Sequence, residues 1–388
     1  MTTLVEDSPR PFQVGWITEA STAGTAAGTV INPWASPYGH RGGSGNKPGI
    51  GHRTDEFRDA GIRYWFDPAT HVLQMTGAGD YRYYSEYSLW GGPPGDLTQA
   101  AYRDEHVRRV FRVQDEVGAP RLAPAPLLPS GLNNLSTLAL DTSRAAMDRD
   151  ASTALTIAGT ATFWGDGNDL DAHIGALAAL APCGWFITFV QPDNNLPPQL
   201  TANEVFGLCR TVRALSEYSV VHISHGDLAG LPAVAAGAAT LGTGWDKRQR
   251  VMSYTDYAPR PTNGSGVASW YERPTLAGLL GTLSNRDGQL LGQQDPALAS
   301  RLGGLPIAPG PRTSFLQHVG VLHGVASAIA TSTDYESRFR VLDQMYTAAR
   351  ANWAALRAST GISDRSSNWI TPLQDGLRLY ARSEGWSI

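Results

Sequence analysis

The segment Asp246-Lys247-Arg248-Gln249-Arg250 sets one acid beside three cations at the end of an apolar run, residues 240–245. Nearby positive charge favours the ionised form of a carboxylate. Asp246 is therefore a candidate nucleophile, a candidate stabiliser of a developing cation, or one half of an ion pair. A second acid, Asp67, follows the short apolar run 62–66 in WFDPATH. Two carboxylates in different environments can divide the work of breaking a glycosidic bond. One moves a proton, and the other faces the developing oxocarbenium ion. Asp67-Pro68 is also an ordinary start for a turn.

Further polar groups cluster near the ends of apolar runs. His222, His225 and Asp227 lie in HISHGD. On a strand, residues three apart point to opposite faces, so His222 and His225 need not converge and no metal site is expected. His225 stands as a substrate contact, with Lys247 and Arg248 beside Asp246, and Asp227 as a helix cap. Asp193 in QPDNN is a further substrate-binding candidate or the start of a turn. Residues 80–90, DYRYYSEYSLW, are dense in aromatics, with Tyr84 and Trp90 as candidates for stacking on an extruded base. The alternative is a half-buried hairpin. Two cationic groups are placed to meet phosphates: Arg41, Lys47 and Arg53 in a glycine-rich stretch, and Arg108 and Arg109 in a helical one. Arginines on a helix are also often simply solvated.

These residues need a frame that gathers strand ends. Residues 220–250 read as strand, polar turn, small-residue helix and second strand, which is one βαβ unit. Upstream, residues 12–18, 28–34, 62–66, 154–163 and 185–190 read as strands. Residues 102–116, 143–150, 170–180, 202–217 and 228–238 read as helices. That alternation predicts an α/β fold with a parallel sheet closed as a TIM-type (β/α)8 barrel, followed by a C-terminal helical extension. The expected layout is a barrel with inserted loops over residues 1–260, a Pro/Gly-rich connection over 261–312, and packed helices over 313–388. In the last part, Phe339, Leu342, Met345, Tyr346, Ala349 and Trp353 form a helical stripe.

The 388 residues, 42% of them apolar, are enough for one large domain with an extension. A net charge of −4 gives no general attraction for a polyanion, so any nucleic-acid contact must come from a local patch. The two cysteines, Cys183 and Cys209, give neither a disulfide framework nor a zinc pattern. No cofactor is expected, and a reducing cytoplasm fits. The start, MTTLVEDSPRPFQ, lacks the basic-then-apolar order of a secretion signal. A membrane span needs about 18 apolar residues in a row, and no such run occurs.

Residues 221–250 resemble the last βαβ unit of the tRNA-guanine transglycosylase barrels. The matching residues are His222-Ile223-Ser224-His225-Gly226, Ala233-Val234-Ala235-Ala236-Gly237 and Trp245-Asp246-Lys247-Arg248-Gln249-Arg250. SFLQHVGVLHGVASAIATSTDYESRFRVLDQM is similar to the C-terminal helix pair of the same family, in the same order along the chain. The resemblance implies N-glycosidic chemistry, with Asp246 as nucleophile or stabiliser and Asp67 as general acid/base. Family members that act on tRNA carry a cysteine-rich zinc site after the barrel. Residues 252–312 contain no cysteine, and the Ser-Gly-Gly-Phe that follows the family's first catalytic acid is missing. These departures turn the expectation toward DNA. The implied activity is a DNA glycosylase that excises modified bases, with a role in phage defence, or a base-exchange transglycosylase. Two other readings stand beside it: a TIM-barrel hydrolase or lyase of a small polar or sugar substrate, and a non-catalytic binder of modified nucleic acid.

Overall fold

Among the described residues, helices pack outside a parallel sheet in which a two-residue strand, Met252–Ser253, pairs with the strand Gly184–Gln191, beside eight strands that curl about one axis. They are β1 (Thr2–Glu6), β2 (Ala26–Ile31), β3 (Tyr64–Phe66), β4 (Leu127–Leu128), β5 (Ala154–Thr160), β6 (Gly184–Gln191), β7 (Val220–Ser224) and β8 (Thr240–Thr243). The computed structural model describes residues 2–6, 10, 12–40, 48–79, 82–259, 274–305 and 310–388. The order around the sheet is β3-β2-β1-β8-β7-β6-β5-β4, so β1 joins the two halves by pairing with both β2 and β8. This is the TIM-type α/β barrel with a helical C-terminus that the alternating pattern predicts.

Among the described residues, β3 and β4 form no ladder with each other. Two glutamines bridge the seam instead. Gln114, on the helix Ala100–Val117, donates to the carbonyls of Phe66 (3.2 Å) and Leu122 (2.8 Å), and its oxygen accepts the Leu122 N–H (3.3 Å). The Gln74 side chain accepts the Leu127 N–H at 2.7 Å. Primary amides carry both donors and acceptors, so they can satisfy strand groups that would otherwise be buried without partners.

Two expected elements differ. Residues 12–18 do not form a strand. Gln13–Thr22 is a helix, with Val14, Ile17 and Ala20 buried at a spacing of three. That period belongs to a helix face, not to a pleated strand. The first strand is the five-residue TTLVE just upstream, too short to stand out by composition. The aromatic run does not form a hairpin either. Arg82–Glu86 is a short helix, and Tyr84, Tyr87 and Trp90 are all buried. The small-residue stretch after β7 is helical in two pieces, a 3-10 turn at Asp227–Gly230 and a helix at Leu231–Ala235. Beyond the barrel, the described residues hold short helices at Asn285–Gln294 and Pro296–Arg301. Long helices follow at Pro311–Ala330, Tyr335–Thr360 and Ser366–Ser383. No helix among the described residues is long and apolar enough to cross a membrane.

Side chains alternate along each strand, so the barrel interior is filled in layers. Leu4, Val30, Leu122, Ala154 and Phe186, with Ala27 and Trp65 against them, form an apolar plug. His222 extends it, with its ring 4.8 Å from Phe186 and 5.7 Å from Trp65. Two residues further along the same strands come Glu6 after Leu4, Asp67 after Trp65, and Ser224 after His222. The period of two thus puts two acids and a hydroxyl on the inner face above the plug, at the carboxyl ends of the strands.

Candidate functional site

The carboxyl end of a barrel is where its loops gather chemistry. Here Glu6, Asp67, His71, Ser224 and His225 are all buried at that end, each at most 5% exposed. The Glu6 carboxylate accepts the Ser224 hydroxyl at 2.8 Å and the His225 N–H at 3.2 Å. The Ser224 oxygen also lies 2.8 Å from His225 Nδ1. Gln13 and Gln249 both donate to the Glu6 main-chain carbonyl, which fixes the backbone beneath the carboxylate. Among the described residues, no group of three or more His, Cys, Asp or Glu side chains is arranged to hold a metal ion.

Asp67 is placed by its own turn. The following proline keeps it extended, so β3 continues one residue further. Its Oδ1 accepts the Ala69 N–H at 2.8 Å, and Ala69 takes a left-handed φ of 48°. Thr70 then bonds His106 Nε2 at 3.0 Å, which ties the loop to the outer helix. Burial raises the Asp67 carboxyl from about 3.8 to about 6, against the smaller pull of the Ala69 N–H. Burial lowers His71 to about 4, and burial with His71 nearby lowers His225 to about 3. Near neutrality both imidazoles are uncharged, and Asp67 titrates at the edge of the physiological range.

A stability prediction follows from the raised value. A carboxyl whose folded pKa exceeds its unfolded one gives full stability below the unfolded value, and loses it as pH rises through about 6. The shift of about two units corresponds to about 3 kcal/mol at most. Asn at this position carries no such penalty. Asp67→Asn should therefore gain melting temperature relative to the parent at pH 7.5 compared with pH 4. Thermal melts at both pH values read this directly, and an equal difference at the two would mean that Asp67 titrates normally.

The turn that carries Ser224 and His225 is held from behind. His225 and Asp227 both adopt left-handed φ, 53° and 44°, on either side of Gly226. Such conformations cost about 1–3 kcal/mol each and persist where the surroundings impose them. Asp227 is fully buried and takes a bidentate contact from Arg250, at 2.6 and 3.1 Å. It also accepts the Thr243 hydroxyl (2.8 Å) and lies 3.1 Å from His318 Nε2. His318 stands on the helix Pro311–Ala330, and its Nδ1 is 2.9 Å from the Thr275 hydroxyl. Burial alone would raise the Asp227 pKa, but Arg250 and His318 outweigh it and hold the carboxylate well below the usual range. The C-terminal helices are thus tied to the loop that presents donors to Glu6.

The other candidates are dispersed. Asp246 is half-buried at the rim and caps the short helix Lys247–Arg250, with its Oδ1 3.3 Å from the Gln249 N–H. The cations expected around it turn elsewhere: Arg250 to Asp227, and Arg248 to the Asp256 carbonyl at 2.6 Å and over the Tyr257 ring. Arg10 is instead close enough to attract it, and lies 3.9 Å over Trp245. Lys247 is half-buried on the same short helix, and Asp193 is exposed after β6. Tyr84 stacks on Trp34 at 4.5 Å, near Asp67, and burial raises its hydroxyl pKa. Trp90 stacks on His106 at 4.2 Å. Arg108 and Arg109 both bond Glu105, and Arg109 also holds the Ser88 and Trp90 carbonyls. Arg53 is buried. Arg41 and Lys47 lie outside the described residues.

Sequence reasoning passed over Glu6 and His71. Glu6 had the same signal that exposed Asp67, an acid closing an apolar run, but the run is only TTLV. His71 sits within WFDPATH and gave no periodic signal of its own.

No protein-family model matches the chain, and no curated protein matches it. Among solved structures, it is similar to a psychrophilic glycoside hydrolase family 10 endo-beta-1,4-xylanase, at 11% identity and a TM-score of 0.34, over 62% of this chain and 85% of that one. It is also similar to a xylose isomerase-like TIM barrel/4-hydroxyphenylpyruvate dioxygenase fusion protein, at 12% identity and a TM-score of 0.32, over 92% of this chain and 44% of that one. Similarity at this level says nothing about chemistry.

Proposed function

We propose that this chain is an enzyme that cleaves the N-glycosidic bond of a nucleobase, acting on DNA that carries modified bases. The observation that carries the bond chemistry is the pair of inward carboxyl groups, Glu6 on β1 and Asp67 after β3, in different surroundings. Strands two places apart lie about 10 Å from one another. Side chains reaching inward from both face the same end of the barrel interior. Asp67, still protonated below about pH 6, donates its proton to the departing base as the C–N bond breaks. Glu6 faces the oxocarbenium-like sugar, and takes a proton from the water that adds to the anomeric carbon. The products are the free base and a sugar hydroxyl. Ser224 and His225 keep Glu6 in place. Asp246, which the resemblance makes the nucleophile or stabiliser, serves in this reading as a rim residue.

The nucleobase and its DNA context rest on the resemblance of residues 221–250, as does a role against phage. A second reading, a small polar or sugar substrate, is favoured by one observation. Arg108, Arg109 and Arg248 are engaged within the chain, and Arg53 is buried. Incubation with nucleosides, plain DNA and DNA containing modified bases separates the two readings. Free base with matching abasic sites in DNA supports the first. Release from nucleosides or glycosides alone supports the second, and no release from any of them removes both.

A further inference from the structure

We propose that His71 and His225 form a polar subsite beside the two carboxyl groups, which takes the uncharged hydrogen-bonding edge of the ligand. The subsite rests on the reading of this end of the barrel as the active site.

His71 Nε2 is buried and has no hydrogen-bond partner among the described residues. A buried polar atom without a partner is costly, and one that persists calls for an explanation. Its place supplies one. His71 belongs to the 3-10 turn Thr70–Gln74, four residues beyond Asp67 on the loop that leaves β3. Its ring is near enough to His225 to disfavour charge there. His225 commits Nδ1 to Ser224, with Glu6 Oε1 at 3.5 Å. His71 thus follows Asp67 on one loop and lies near His225, whose ring neighbours Ser224 and Glu6. His173 Nε2 is also without a partner, but its ring packs edge-on against Phe163 in the outer helix layer. His71, by contrast, follows Asp67 on the loop at the carboxyl end of the barrel.

The ligand class follows from the charge state. Burial keeps both rings uncharged near neutrality, so neither offers a cation to a phosphate or carboxylate. A neutral imidazole presents one donor and one acceptor. It matches the amide, amino or ring-nitrogen edge of a heterocycle, and equally a sugar hydroxyl.

The test compares the parent, His71→Phe and His71→Gln in thermal melts, alone and with cytosine, adenine, hypoxanthine or D-ribose. Phe removes the unpartnered nitrogen and keeps a ring, whereas the Gln amide reaches the same point. The free Phe variant should melt at or above the parent, by about 2 °C. It should also lose about tenfold or more in affinity for the bound probe, and Gln should recover most of that affinity. A base that binds assigns the subsite to the heterocycle. Ribose alone, with the same dependence on His71, assigns it to sugar hydroxyls. Three results overturn the proposal: a Phe variant that melts several degrees below the parent, an unchanged affinity in that variant, or no probe bound by the parent. Binding is read without turnover, so a failure to find bond cleavage leaves this test intact.

Discussion

Asp67→Asn should lower the rate of base release by roughly 10²–10⁴-fold, the range spanned by the loss of a positioned general acid. Asn fills nearly the same volume and still accepts the Ala69 N–H. It cannot give up a proton at neutral pH. The fold should therefore persist while turnover collapses, which circular dichroism and single-turnover kinetics would separate. Glu6→Gln should be impaired for a different reason. Its Oε1 accepts from two donors, the Ser224 hydroxyl and the His225 N–H. A neutral amide there loses the charge that faces the developing sugar cation, and such electrostatic support is usually a large contribution to catalysis. Near-normal turnover in either variant would remove the paired-carboxyl mechanism.

The largest stability effect is expected at Arg250. Arg250→Met leaves the Asp227 carboxylate buried, with Thr243 and His318 as its remaining side-chain contacts. Breaking a buried pair from one side typically costs about 3–5 kcal/mol, because the remaining charge is stranded. Urea unfolding should show that loss. Asp227→Asn combined with Arg250→Met should recover a good part of it, since the stranded charge is then gone. The single variant should also weaken catalysis, because the turn that carries Ser224 and His225 loses its support. An unfolding midpoint unchanged in Arg250→Met would mean that the network contributes little.

Much of the frame was legible because a period of two and a period of 3.6 leave different traces. The strands at 154–160, 184–191 and 220–224 and the long C-terminal helices are extended enough for those traces to dominate. The first βα unit was misread for want of length. TTLVE offers five residues, and QVGWITEAST shows apolar groups at a spacing of three that a short window takes for a strand. An acid at a strand end is the signal that singled out Asp67, which the structure buries just past β3. Applied to TTLVE it would have found Glu6. What local sequence could not show is partnership. Arg250 follows Asp246 by four residues, yet its guanidinium turns to Asp227, a residue on the preceding loop. His318 reaches the same carboxylate from 91 positions away. Such choices depend on which faces the barrel brings together, and nothing in the spacing of charges encodes them. The aromatic run at 80–90 allowed either a stacking surface or a half-buried hairpin, because its residues are large and dense. The structure places Tyr84, Tyr87 and Trp90 in the core, where aromatic area is usually spent.

The pH dependence of base release tests the central claim most directly: one carboxyl, poised near pH 6 by burial, supplies the proton. Rates for the parent and Asp67→Asn would be followed from pH 5 to pH 8 on a nucleoside or oligonucleotide that yields product. The account predicts that the parent slows about tenfold per unit once pH passes the Asp67 value, and that the residual rate of Asp67→Asn lacks that break. A parent profile flat across the range, or the same break retained in Asp67→Asn, would contradict it.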